Sequence, residues 1–247
     1  MTLSSSDSIS VTNLEKKFGD FTAVNKISFF VKKGEIFGFL GSNGSGKSTT
    51  IRMLCGIITP TSGAGMVAGH DIVTEPEEVK QSIGYMSQKF SLYEDLTPFE
   101  NLRFYLGVYS VDPALWSQRI DWVLKMTRLQ EARDRLTKEL PPGWRQRLAL
   151  GCSLLHKPDV LFLDEPTSGV DPVTRRHFWN FIGQIAGEGI TVFVTTHYMD
   201  EAQFCQRIVM IDAGSIVASG TPQEIITAAC PGRLDADLND AFITLMK

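Results

Sequence analysis

Apolar and polar residues alternate in strand-like fashion through the first part of the chain. Ile9, Val11 and Leu14 lead into one strand pattern, and Val24, Ile27, Phe29 and Val31 sit in a second. The run Ile36-Phe37-Gly38-Phe39-Leu40 is short, nearly all apolar and bounded by glycines, which predicts a strand covered on both faces. A glycine-rich loop follows, then a helical pattern through Ile51, Met53 and Leu54. From about Pro98 to His156 the period changes. Leu102, Tyr105 and Leu106, then Ile120, Val123 and Leu124, then Leu148, Cys152 and Leu155 recur at helical spacing, with Thr97-Pro98 and Asp112-Pro113 as helix starts. Strand patterns return in Val160-Leu161-Phe162-Leu163 and in Thr191-Val192-Phe193-Val194-Thr195, followed by a hairpin from Ile208 to Val217 turning at Asp212-Ala213-Gly214. Leu238 to Met246 reads as one short amphipathic helix, so no separate C-terminal regulatory domain is expected. The sum is one α/β domain over residues 1–247, with a helical subdomain inserted at about 89–158.

Composition narrows the class of function. A chain of 247 residues buries roughly 70% or more of its unfolded surface, enough for a core without staples. The net charge of −4 has the wrong sign for a nucleic-acid footprint, so no nucleic-acid partner is expected. Cys55, Cys152, Cys205 and Cys230 are scattered, which suits neither a zinc site nor a disulfide framework and fits a reducing cytosol. The opening MTLSSSDSIS has neither the basic nor the apolar region of a signal peptide. No stretch approaches the roughly 18–20 apolar residues that span a bilayer, so any membrane channel must come from another chain.

Candidate chemistry starts in the loop after the third strand. Gly41-Ser42-Asn43-Gly44-Ser45-Gly46-Lys47-Ser48-Thr49 fits G-x-x-x-x-G-K-[ST] between an apolar strand and a helix. The glycines let successive N–H groups point inward around phosphate oxygens, and the helix N-terminus adds partial positive charge. Lys47 brings a full charge to the β and γ phosphates, and the Ser48 hydroxyl is a ligand for Mg²⁺. Farther on, Val160-Leu161-Phe162-Leu163-Asp164-Glu165 delivers two carboxylates to the carboxyl edge of the sheet, where α/β ligands bind. Asp164 would hold the magnesium shell. Glu165, on the opposite side of the pleat, would act as general base toward a water on the γ-phosphate.

These residues resemble the nucleotide-binding domain of ABC transporters over nearly the whole chain. The glycine-rich loop looks like Walker A, and VLFLDEP, from Val160 to Pro166, like Walker B with its following glutamate. Ser168-Gly169-Val170-Asp171 is similar to the D-loop that links two ATP sites, although Asp171 would also suit the cap of the next helix. Gln88 in GYMSQ matches the Q-loop glutamine, which senses magnesium, attacking water and the membrane partner. His197 in TVFVTTH matches the switch histidine, and Phe18 in KKFG the aromatic position that stacks on adenine. The resemblance implies a P-loop NTPase (RecA-like) core sheet with an N-terminal antiparallel β subdomain. It also implies ATP and Mg²⁺ as cofactors, a transmembrane permease as partner, and a second ATPase subunit, with a homodimer as the working expectation. The place implied is cytoplasmic, on the inner face of the cell membrane through the permease.

One stretch departs from the family pattern. Where the signature loop reads LSGGQ, this chain has Leu140-Pro141-Pro142-Gly143-Trp144. Pro141 replaces a serine hydroxyl and Pro142 removes a backbone donor, while Gly143 survives. Arg145 and Arg147, in the first turn of the next helix, would be favourable beside an anion such as ATP. LDEPTSGVDP, THYMDEA and LNDAFI look like exporter ATPases that serve drug, lipid or polysaccharide permeases, and the segment with Phe99, Phe104, Tyr105 and Tyr109 is the candidate docking region. Two other readings stay open. One is a soluble ABC ATPase acting on ribosomes or DNA; the other is a nucleotide-gated module that hydrolyses little.

Overall fold

The computed structural model describes residues 7–89, 91–233 and 235–246. The opening segment read as lacking a signal peptide lies, through Ser6, outside the described residues. In chain order, β1 (Asp7–Phe18) and β2 (Phe21–Lys32) form a hairpin, and β3 (Ile36–Leu40) runs through the glycine-rich loop into α1 (Lys47–Leu54). Next come β4 (Ser62–Val67), β5 (His70–Asp71), α2 (Pro76–Ser82) and β6 (Ile83–Met86). The helices α3 (Pro98–Val108), α4 (Trp116–Thr127) and α5 (Pro142–Cys152) follow. The chain then runs through β7 (Val160–Asp164), α6 (Pro172–Gly187) and β8 (Thr191–Thr196) into the hairpin β9 (Arg207–Asp212) and β10 (Ser215–Gly220). It ends in α7 (Pro222–Ala229) and α8 (Leu238–Leu245).

Two sheets organise these elements. One has the order β2-β1-β4-β5 and is antiparallel; the other has the order β10-β9-β3-β8-β7-β6. From β9 to β6 every neighbour is parallel, and β10 alone is antiparallel. Every residue of β3, β7 and β8 is buried, as strands covered on both faces require. On one face Phe37, Phe39, Phe162 and Phe193 pack with α1 and the antiparallel sheet, where Phe29 stacks on Phe37 at 5.7 Å. On the other, Leu40, Leu161, Leu163 and Val194 meet Phe178, Ile182 and Ile185 of α6.

Helices α3 to α5 enclose a core of their own, with Leu102, Leu106, Val123, Leu124 and Leu148 fully or nearly fully buried. The Thr97-Pro98 start forms a capping box. Thr97 accepts from the Glu100 N–H at 3.2 Å, and the Thr97 N–H donates to the Glu100 carboxylate at 2.9 Å. Thr97→Ala is expected to cost about 1 kcal/mol, read as a lower urea midpoint with an unchanged slope. Asp112-Pro113 opens a 3₁₀ turn, Pro113–Leu115, and the α-helix proper begins at Trp116. The hairpin turns where expected, with Ala213 at φ 42° and Gly214 at φ 79°, the two positive φ values that a tight two-residue loop demands.

Candidate active site

The strand order assembles the site. Because β3, β8, β7 and β6 are parallel neighbours, the segments leaving their carboxyl ends lie side by side at one sheet edge. Those segments carry the Gly41–Thr49 loop, His197, Asp164 with Glu165, and Gln88 respectively.

The loop is shaped by glycines, and at Gly41 and Gly46 a Cβ would collide with backbone. Gly46 caps α1 at φ 108°, and a Cβ there would lie 2.6 Å from the Ala23 carbonyl oxygen. Its tightness also places the adenine candidate. Ala23 lies on β2 two residues past Phe21, which pairs with Phe18, so the hairpin tip stands beside the phosphate loop. Phe18 is 52% exposed, with the Lys16 ammonium 5.1 Å from its ring centroid, an open aromatic surface able to take a base. The side chains of Ser42 and Asn43 belong to exposed residues, while Ser45 is buried with its Oγ unpartnered.

Lys47 is only 4% exposed. Its Nζ donates to the Gly41 and Ser42 carbonyls at 2.9 and 3.0 Å and lies 3.1 Å from Glu165 Oε1. The other Glu165 oxygen accepts from Gln88 Nε2 at 3.3 Å and faces His197 Nδ1 at 3.1 Å. Four segments distant in sequence thus meet on one carboxylate. Asp164, 4% exposed, takes hydrogen bonds on Oδ1 from Ser48 at 3.1 Å and from Thr195 at 2.7 Å. Thr49 follows in the first turn of α1 and is half-buried.

The pleat argument for Glu165 fails in an informative way. β7 ends at Asp164, and Glu165 has left the strand with φ 47°, a left-handed conformation uncommon for a residue with a Cβ. Its N–H is held by the Thr195 carbonyl and hydroxyl at 3.1 and 3.0 Å. A turned backbone, not strand alternation, aims the carboxylate at Lys47. Strain of this kind persists only where the surroundings over-determine it, and it gathers at functional sites.

The sequence shows Thr195 only as a strand residue, yet its hydroxyl donates to the Asp164 carboxylate and accepts from the Glu165 backbone N–H. A threonine two positions before His197, following the apolar run Val192-Phe193-Val194 in a buried strand, is the sequence signal that could have found it. Thr195→Val leaves the Asp164 and Glu165 groups short of a partner and is expected to cost about 1–3 kcal/mol, with Thr195→Ser recovering most of it in urea unfolding.

The charge of Asp164 reaches beyond the site. Burial, and then this carboxylate, push the Cys55 thiol well up, so Cys55 is no nucleophile. Burial and Asp164 also raise the Tyr85 phenol to about 12.

Gly143 and Asp171 lie elsewhere. Asp171 caps α6, its Oδ1 accepting from Val173 and Thr174 N–H groups at 3.1 and 3.0 Å; the Thr174 side chain first, and then these N–H groups, lower its pKa. Gly143 packs against Thr174, where a Cβ would come within 2.7 Å of the methyl group. The two residues form one patch, apart from the contacts around Lys47. The two arginines read as suited to a nearby anion both have contacts within the chain. Arg145 pairs with Glu94 at 3.4 Å, while Arg147 turns back to the Thr127 carbonyl at 3.0 Å and stacks 5.2 Å from the Trp144 ring.

The site fits a magnesium-bound triphosphate. Ser48 Oγ and Asp164 Oδ1 form the hard-oxygen pair that a magnesium ion takes. The loop supplies a buried ammonium and an orphaned Ser45 hydroxyl. Gln88, expected to share in holding the metal, is seen on Glu165. Among the described residues no group of three or more His, Cys, Asp or Glu side chains forms a metal cluster.

Residues 24–168 match the ABC transporter family model, and residues 146–199 match a second model described as an AAA domain, putative AbiEii toxin, type IV TA system. The chain is 49% identical over 239 residues to the probable multidrug ABC transporter ATP-binding protein YbhF of Escherichia coli (strain K12), covering 96% of this chain but 41% of that protein. It is 39% identical over 246 residues to the linearmycin resistance ATP-binding protein LnrL of Bacillus subtilis (strain 168), covering 95% of this chain and 77% of the relative. A solved ATP-binding subunit of an ABC transporter superposes with a TM-score of 0.85 at 26% identity, covering 97% of this chain and 99% of the other. With its loop, its paired acids and its sheet order all in place, the chain belongs to the ABC transporter family, as one of its ATP-binding domains.

Proposed function

We propose that this chain hydrolyses ATP to drive a separate transmembrane permease, in an exporter, at the cytoplasmic face of a membrane. The single observation that carries the hydrolytic part is the convergence of Lys47, Gln88 and His197 on the Glu165 carboxylate. Lys47 and the loop amides bind phosphates, and Phe18 offers the base a stacking surface. Magnesium, held by Ser48 and Asp164 with Gln88 at its margin, would neutralise phosphate charge. Glu165 takes a proton from water, and His197, already on Glu165, steadies the carboxylate and the attacking oxygen. The export reading rests on relatives named for multidrug and linearmycin resistance. Among the described residues no helix is long and apolar enough to cross a membrane, which is consistent with a channel on another chain.

A pair of these chains, most simply two copies, would close on ATP through Gly143 and the 168–171 loop. The proline-rich signature loop weakens that closure without abolishing it, because α5 begins with Pro142 and Gly143 is its first residue with an N–H. Steady-state phosphate release tests the reading. The wild type is expected to turn over ATP, and Glu165→Gln to lose about 10²–10⁴-fold while retaining Mg-ATP affinity. ATP-driven dimerisation of Glu165→Gln, followed by light scattering at millimolar ATP, tests the closure. No phosphate release from the wild type would leave only a nucleotide-gated module, and no dimer would remove the sandwich.

A further inference from the structure

His197 is held loosely for a residue with so specific a task. Its side chain is 28% exposed, and among the described contacts its one hydrogen-bond partner is Glu165. What flanks the imidazole is the Tyr198 ring, with centroids 4.0 Å apart. Tyr198 is in turn covered by the Arg175 guanidinium, 4.0 Å from its centroid. Arg175 sits on α6 with its side chain 16% exposed and has three further anchors. Its Nη1 donates to Asp200 at 3.4 Å, its Nη2 to the Val170 carbonyl at 3.5 Å, and its Nε lies 3.4 Å from Glu201 Oε1. Glu201 is fully buried, and the same oxygen accepts from the hydroxyl of Thr167, two residues past Glu165. The remaining buried oxygen, Glu201 Oε2, has no partner, so the arginine is the cation that compensates this acid.

We propose that Arg175 and Tyr198 are positioning residues for the His197–Glu165 pair, joining it to the Ser168–Asp171 loop. The Tyr198 ring bears on the imidazole from one side, tilted 39° to it, while Glu165 holds its Nδ1 from the other. The Glu201–Thr167 bond holds the turn that gives Glu165 its left-handed backbone, and Arg175 meets both arms. A displacement of Val170 therefore acts on Arg175, and through the Tyr198 ring on the imidazole. Neither residue touches the reacting atoms. This inference rests on the ATPase reading, so its test has one readout that needs no turnover.

In the free protein, the His197 ring resonances in Arg175→Met are expected to move, because the Tyr198 ring is no longer clamped; unchanged resonances overturn the idea. In steady-state assays Arg175→Met and Tyr198→Leu should each lower kcat about tenfold at unchanged KM for ATP. The double variant should lose no more than either alone, because both break one chain of contacts. Tyr198→Phe, which keeps the ring, should restore turnover. Wild-type kcat in Arg175→Met, or multiplicative losses in the double variant, overturn it. If the uncompensated Glu201 prevents Arg175→Met from folding, Arg175→Met/Glu201→Gln removes both charges and carries the same comparison. A wild type without ATPase activity would refute the functional reading and leave the resonance experiment to decide this one.

Discussion

Lys47→Ala is expected to abolish measurable ATP turnover and, separately, to destabilise the nucleotide-free protein. Losing one preorganised electrostatic donor at a transferring phosphoryl group costs about 10²–10³-fold, and here the donor is a full charge. The stability effect comes from the partner left behind. Lys47 Nζ is buried against Glu165 Oε1 at 3.1 Å, and the Glu165 side chain is 9% exposed. Removing one member of a buried pair costs about 3–5 kcal/mol, and Gln88 and His197 on the other oxygen offset part of that. Lys47→Ala/Glu165→Gln should therefore recover most of the urea midpoint and none of the turnover. A Lys47→Ala protein as stable as wild type would show that the ion pair is not what compensates Glu165.

The second large effect belongs to the glycines of the same loop, and it separates backbone strain from collision. Gly46→Ala meets both. Its φ of 108° is unsuited to a side chain, and its Cβ would lie 2.6 Å from the Ala23 carbonyl, a backbone atom with little freedom to move. Strain of about 1–3 kcal/mol and overpacking of about 1–3 kcal/mol add, and the displaced loop should bind nucleotide poorly. Gly44→Ala meets strain alone, since φ is 82° and nothing lies within 4 Å of the new Cβ. Urea unfolding of the two variants without nucleotide should rank Gly46→Ala well below Gly44→Ala. Equal losses would mean that the hairpin does not press on the loop.

Much of this molecule was legible before any coordinates. The apolar run 36–40, the hairpin after Ile208 and the Thr97 helix start all appeared where the pattern placed them. β4, β5, α2 and β6 were not read. β4, Ser-Gly-Ala-Gly-Met-Val, offers two glycines and no alternation, and β6 has only four residues. Such strands exist because a neighbour supplies their partners, β1 for the first and β7 for the second. The contacts of Arg145 and Arg147 were out of reach for a related reason. Their charges were visible, whereas Glu94 and the Thr127 carbonyl, which engage them, come from other segments.

By itself, the sequence determined the phosphate loop, the strand that ends in Asp164, and the order in which the motifs occur. Each depends on the conformational freedom or periodicity of a short stretch, which neighbouring residues settle among themselves. Only the tertiary structure decided that Gln88, Lys47 and His197 share one carboxylate, that Thr195 ties the two acids together, and that Glu165 turns out of its strand. Those facts follow from β3, β8, β7 and β6 lying side by side and parallel, a long-range choice made by whole faces packing together, which no local pattern encodes.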